Sequence, residues 1–129
     1  MTENKKIPFT EVKKYSGPGS HLVKNSYMHI KSIDQCPSDW LKPEIDFQKY
    51  DALFLSMGSK PSSGYEIEID KIDDLGDKII VHINEMKPPI GGIIMQRIST
   101  PYYIASMPKT DKPVEFEVHY PIVPLVDNQ

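Results

Sequence analysis

The chain is expected to be all-β: a two-layer antiparallel sandwich or partly open barrel, with one or two short helical turns near residues 37–50. Three observations carry that expectation. Apolar and polar residues alternate with period two in several short runs, most cleanly from Val114 to Tyr120. Twelve prolines fall between the apolar runs and not inside them, which favours short strands joined by turns over long helices. A length of 129 residues with 39% hydrophobic content suffices for one core without metal or disulfide staples. Cys36 is the sole cysteine, so no disulfide forms within the chain.

The elements follow in order. Residues 7–15 read as an edge strand, because Pro8 lacks the N–H that a central strand donates. Residues 1–26 are therefore set apart as an N-terminal extension carrying that strand, and residues 16–20 form a Gly/Pro/Ser turn. Residues 26–33 alternate Tyr27, His29 and Lys31 against Met28, Ile30 and Ser32, the pattern of a half-buried strand. Ser38 or Asp39 can cap a helical turn that Trp40 and Leu41 anchor, and residues 46–50 make a second turn. Residues 51–57 are the most continuously apolar run, which places them centrally in the sheet system.

Residues 65–72 and 78–86 flank a Gly-containing turn and read as a hairpin. Strands are expected at 93–99 and 102–107, divided by Thr100 and Pro101. Residues 114–120 complete the sandwich with Val114, Phe116, Val118 and Tyr120 inward, and Phe54 and Tyr65 also fall on core faces. One β domain then spans residues 27–120, followed by an apolar tail at 121–129.

Fifteen basic against 18 acidic residues, a net charge of −3, argue against nucleic-acid binding, which needs a clustered basic footprint. No run approaches the ~20 apolar residues of a membrane helix. The first residues lack an apolar h-region, so the chain as written reads as cytoplasmic. Cys36 stands before Pro37 without a nucleophile motif. His82 and His119 lie on polar strand faces that neighbouring strands can bring together. No third ligand at metal-binding spacing accompanies them, so both read as surface histidines. Most carboxylates alternate outward, as on a solvated sheet face. The expectation is no catalytic residue, no metal and no cofactor.

The richest turn chemistry lies in Lys60, Pro61, Ser62, Ser63, Gly64 and Tyr65, and in Pro88, Pro89, Gly91 and Gly92, with Thr100, Pro101 and Tyr102 near them. Gly64 supplies backbone freedom, Tyr65 anchors to the core, and the prolines limit the entropy lost on binding. These three loops are the expected partner-binding surface.

From about residue 27 to 118 the order of features resembles the C-terminal domain of PrcB-type proteins, the protease-complex stabilising subunits. The resemblance rests on Trp40 in an early turn, Asp46-Phe47-Gln48-Lys49-Tyr50 before an apolar strand, and Gly58-Ser59-Lys60-Pro61-Ser62-Ser63-Gly64-Tyr65. It continues with Glu85-Met86-Lys87-Pro88-Pro89-Ile90-Gly91, Gln96, Ser99-Thr100-Pro101-Tyr102 and Met107-Pro108-Lys109. Where that family shows Thr-Gly-Gly-Tyr, this chain has Ser62-Ser63-Gly64-Tyr65. The resemblance implies a non-catalytic protein-binding domain that associates with and stabilises a protease or other complex. It also implies export, since family members are commonly exported, often as lipoproteins. Residues 60–65 and 89–92 further resemble the first two loops of chagasin-type protease inhibitors, whose third loop has no counterpart here. That likeness implies an alternative, a protease inhibitor acting through loops 60–65 and 87–92. A small-ligand-binding β domain is the third alternative.

Overall fold

The computed structural model describes residues 5–17, 24–37, 44–89 and 91–121. The alternating runs form strands in it: β1 (Lys5–Lys6), β2 (Thr10–Tyr15), β3 (Asn25–Ile30), β4 (Tyr50–Met57), β5 (Glu66–Asp74), β6 (Ile79–Met86), β7 (Tyr102–Pro108) and β8 (Val114–His119). They build two four-stranded sheets, one ordered β1-β5-β6-β8 and the other β2-β7-β4-β3. The fold is an open β-sandwich. All pairings between these strands are antiparallel except β6–β8, which is parallel. Pro8 falls between β1 and β2, which join different sheets, and β2 is the edge strand its composition called for. Residues 5–15, set apart above as an extension, thus contribute to both layers.

β4 explains the architecture. Leu53, Leu55 and Met57 point between the sheets and meet Ile67, Ile69, Ile72, Ile79, Val81 and Ile83, with Tyr103, Ala105 and Met107 beside them. Ala52 and Phe54 point the opposite way, where Ile30, Tyr102 and Ile104 join them under Met28, Cys36, Ile45 and Phe47. A strand covered on both faces has no polar side to alternate with, hence its continuous apolar sequence. β6 has one covered face and alternates strictly between buried and half-buried positions.

Buried polar atoms at the two ends of this core are partnered. At one end Asp51, fully buried, accepts from Lys109 Nζ at 2.9 Å and from the Thr110 N–H at 3.2 Å, with His29 Nε2 at 2.8 Å. Burial alone would raise its carboxyl, but Lys109, His29 and the Thr110 amide outweigh it and hold the group below the ordinary carboxylate range. At the other end, buried Glu85 takes hydrogen bonds from the Tyr27 hydroxyl and from Asn25 Nδ2, the latter at 3.3 Å. Burial first, then Glu85, raises the Tyr27 hydroxyl well above its usual value. Lys14 of β2 reaches Glu66 and Glu68 of β5 at 3.1 Å each, so charge spans one flank of the sandwich.

The structure corrects three expectations. Residues 93–99 are not a strand; only Ser99 bridges Lys60. As consecutive apolar residues, Ile93, Ile94 and Met95 could be buried in a strand only with cover on both faces, as β4 has, and all three are exposed. Tyr120 lies past the end of β8 and is 68% exposed, so it is not a core residue. A 3-10 turn at Ile33–Gln35 adds a short helical element ahead of the expected region. Residues 46–50 do form a turn, closed by Tyr50 N–H to Asp46 O at 2.9 Å, while the turn expected around Trp40 lies outside the described residues. Finally, the alternation on β5 is broken by a register shift between Ile69 and Lys71. This bulge lets Ile72 enter the core and turns Asp73 to the outer face, next to β6.

Two predictions follow from this packing. Truncating Phe54→Ala should cost about 3–5 kcal/mol in urea denaturation, because both sides of its layer are already closed. Asp51→Asn should cost about 1–3 kcal/mol near pH 7. The folded Asp51 carboxyl binds its proton more weakly than the unfolded one, so its contribution is fully present above the ordinary carboxylate range. It is lost as pH falls through the depressed value. The stability gap between wild type and Asp51→Asn should therefore shrink on acidification below the ordinary carboxylate range, measured as denaturation midpoints across pH.

Candidate protein-interaction surface

The chain leaves β4 at Gly58, whose φ of 78° turns it outward and whose N–H donates to Ser56 Oγ at 3.1 Å. Lys60 then pairs with Ser99 through two backbone hydrogen bonds of 2.8 and 3.0 Å. Two serines knit the loops together. Ser99 Oγ donates to Ser62 O at 2.8 Å. The Ser63 N–H donates to Met95 O at 3.0 Å, and the Met95 N–H donates back to Ser63 Oγ at 2.7 Å. Gly64 has φ of 95°, and a Cβ there would sit 2.8 Å from Pro88 Cγ, so a larger residue would drive the loops apart. Tyr65 is half-buried against the inter-sheet core, with Lys60 Nζ 5.7 Å from its ring centre.

On this scaffold the 91–98 segment carries the largest exposed apolar group of the described residues. Ile93 is 101% exposed, Ile98 64%, Met95 56% and Ile94 37%. Segments 57–65 and 86–101 contain Lys60, Lys87 and Arg97 and no Asp or Glu, on a chain whose net charge is −3. These loops thus combine exposed apolar side chains with basic ones.

The sequence-expected residues divide into three groups. Lys60, Pro61, Ser63, Gly64, Pro88, Pro89, Gly91 and Gly92 lie on the solvent side of these loops or half-exposed within them. Ser62 and Tyr65 support the loops from inside. Thr100, Pro101 and Tyr102 are corrected: all three are buried and cannot face a partner. Thr100 N–H binds Gly17 O at 3.0 Å and Pro101 O accepts from the Met57 N–H at 3.0 Å, while Tyr102 packs on Tyr15 with ring centres 5.2 Å apart. They fasten the base of the loop to β4 and to the turn after β2. Sequence reasoning missed Ile93, Ile94, Met95 and Ile98 because it assigned them to a strand.

Residues 52–108 match the family model described as PrcB C-terminal. Over this segment the chain is similar to that family. The match runs from β4 to the last residue of β7 and includes the whole loop surface, whereas β1–β3 and β8 lie outside it. Neither the comparison with curated proteins nor that with solved structures returned a match. No described helix is long and apolar enough to cross a membrane.

Removing the Ser63 hydroxyl tests whether these loops are tied as a unit. In Ser63→Ala the Met95 amide should exchange with solvent about tenfold faster, the loss of one hydrogen bond of about 1.4 kcal/mol, while β4 amides keep their protection. Hydrogen exchange read by NMR or mass spectrometry checks this directly.

Proposed function

We propose that this chain is a non-catalytic protein-binding domain that associates with and stabilises a protease or another protein complex. The observation that carries the reading is the group Ile93, Ile94, Met95 and Ile98, held in solvent on a loop tied to Ser63 through the Met95 backbone and to Ser62 through the Ser99 hydroxyl. Solvating such a patch is unfavourable, and patches of this kind mark interaction sites in soluble domains. Tethering the loop before binding reduces the entropy lost on association. Lys60, Lys87 and Arg97 in the same loops favour a partner with an apolar recess and acidic groups beside it.

A second reading, direct protease inhibition, draws on the Gly64–Pro88 contact, which sets loops 60–65 and 87–89 side by side. The two readings differ in one measurable respect. A stabiliser leaves turnover of its protease intact and prolongs its half-life, while an inhibitor lowers turnover in proportion to dose.

The test is capture from the native host with the full chain and with the double variant Ile93→Asp/Ile98→Asp. Both side chains are already exposed, so stability should change by less than about 0.5 kcal/mol. Wild type should retain a specific partner that the double variant binds at least about tenfold more weakly in a purified titration. Equal binding by both proteins would remove this surface from the account.

A further inference from the structure

The outer face of the β1-β5-β6-β8 sheet carries a second cluster, outside the interaction loops. Parallel pairing sets Glu117 of β8 opposite His82 of β6, and His119 opposite Asn84. Because β8 alternates, Glu117 and His119 emerge on the same side as His82. His82 Nδ1 lies 3.1 Å from His119 Nε2 and 3.2 Å from Glu117 Oε2, and those two atoms are 3.8 Å apart. These three residues form a group of side chains whose donor atoms converge.

The neighbouring residues decide what such a group can hold. His82 Nε2 lies 2.9 Å from Asp73 Oδ2, and Lys6 Nζ holds the other oxygen of that carboxylate at 2.9 Å. An acceptor fixed in this way keeps the imidazole proton on Nε2 and turns the Nδ1 lone pair towards Glu117 and His119. The lone pair, a carboxylate oxygen and a second imidazole nitrogen then repel one another unless a positive charge lies between them. A proton on one nitrogen satisfies one or two of these contacts. A divalent ion satisfies all three.

The spacing fits an ion. Tetrahedral coordination with bonds of about 2.0–2.1 Å sets neighbouring donor atoms about 3.3 Å apart. We propose that His82, Glu117 and His119 bind one divalent transition-metal ion of the zinc class, with Asp73 orienting His82 from behind. Imidazole donors select zinc, cobalt, nickel or copper over magnesium and calcium, which prefer oxygen. Glu117 and His119 side chains are about half exposed, at 55% and 45%, so a further coordination position faces solvent. A water or a group from a second molecule can occupy it. The sequence reading stopped at two histidines because Glu117-Val118-His119 carries no metal-binding signature. Its relevance depends on β8 lying parallel to β6.

The experiment is isothermal titration of the full chain with zinc chloride alone, joined to the visible spectrum of cobalt(II) added in place of zinc. Wild type should bind one equivalent and give the intense d–d bands of a tetrahedral cobalt centre. His119→Ala and Glu117→Gln, both at half-exposed positions, should weaken binding at least tenfold with an unchanged thermal midpoint in the absence of metal. Asp73→Asn should weaken it about 10–100-fold, the usual effect of losing a carboxylate behind a ligating histidine. His21→Ala, outside the described residues, should bind as wild type. Absence of saturable binding overturns the proposal. So does affinity unchanged in His119→Ala, or loss of binding in His21→Ala.

Discussion

Burial of β4 on both faces is the constraint from which the rest of the structure follows. A fully covered strand in water requires two layers of apolar neighbours, and the chain supplies them by different means. One side is the opposing sheet, with Ile67, Ile72, Val81 and Ile83 at its centre. The other is a thin cover that includes Cys36, Ile45 and Phe47 from the connection leading into β4. Once β4 is sealed, its polar positions must be paired. Asp51 therefore draws in His29, Lys109 and Thr110, and Ser56 Oγ accepts the N–H of Gly58 at the exit.

The sealed strand also provides a rigid base for the loops that follow it. Gly58 carries the chain out of the core, and Pro101, whose carbonyl binds Met57, brings it back to β7 beside the same strand. Between those two fixed points the loops are joined by the single Lys60–Ser99 bridge and by the hydrogen bonds of Ser62, Ser63 and Ser99. A loop held in this way can keep isoleucines and a methionine in solvent without collapsing onto the sandwich. The PrcB C-terminal match begins at Ala52 and ends at Pro108, so it contains both the base and the loops it positions.

The outer sheet face follows a different rule. Its residues are free of core packing, so their arrangement is set by register alone. The bulge between Ile69 and Lys71 turns Asp73 towards His82, and the parallel β6–β8 ladder delivers Glu117 and His119 to the same place. Glu117 and His119 lie outside the family match, so nothing in the PrcB C-terminal segment requires that grouping.

Much of the fold was legible in the residues themselves. Alternation assigned the inward faces of β6 and β8, continuous apolarity placed β4 in the middle of its sheet, and Pro8 marked an interruption that fell between two strands. It also located the turn cluster around Gly64, although buried Thr100, Pro101 and Tyr102 looked no different from exposed turn residues. Side-chain period is a local property, written in neighbouring residues, and it determined the all-β class and the strand faces. Pairing is non-local: alternation is the same whether a strand lies parallel or antiparallel, and it does not name the neighbour. The direction of β8, the convergence of His82 with Glu117 and His119, and the exposure of Ile93 to Ile98 were therefore decided only by tertiary structure, where side chains compete for the limited area that two sheets can cover.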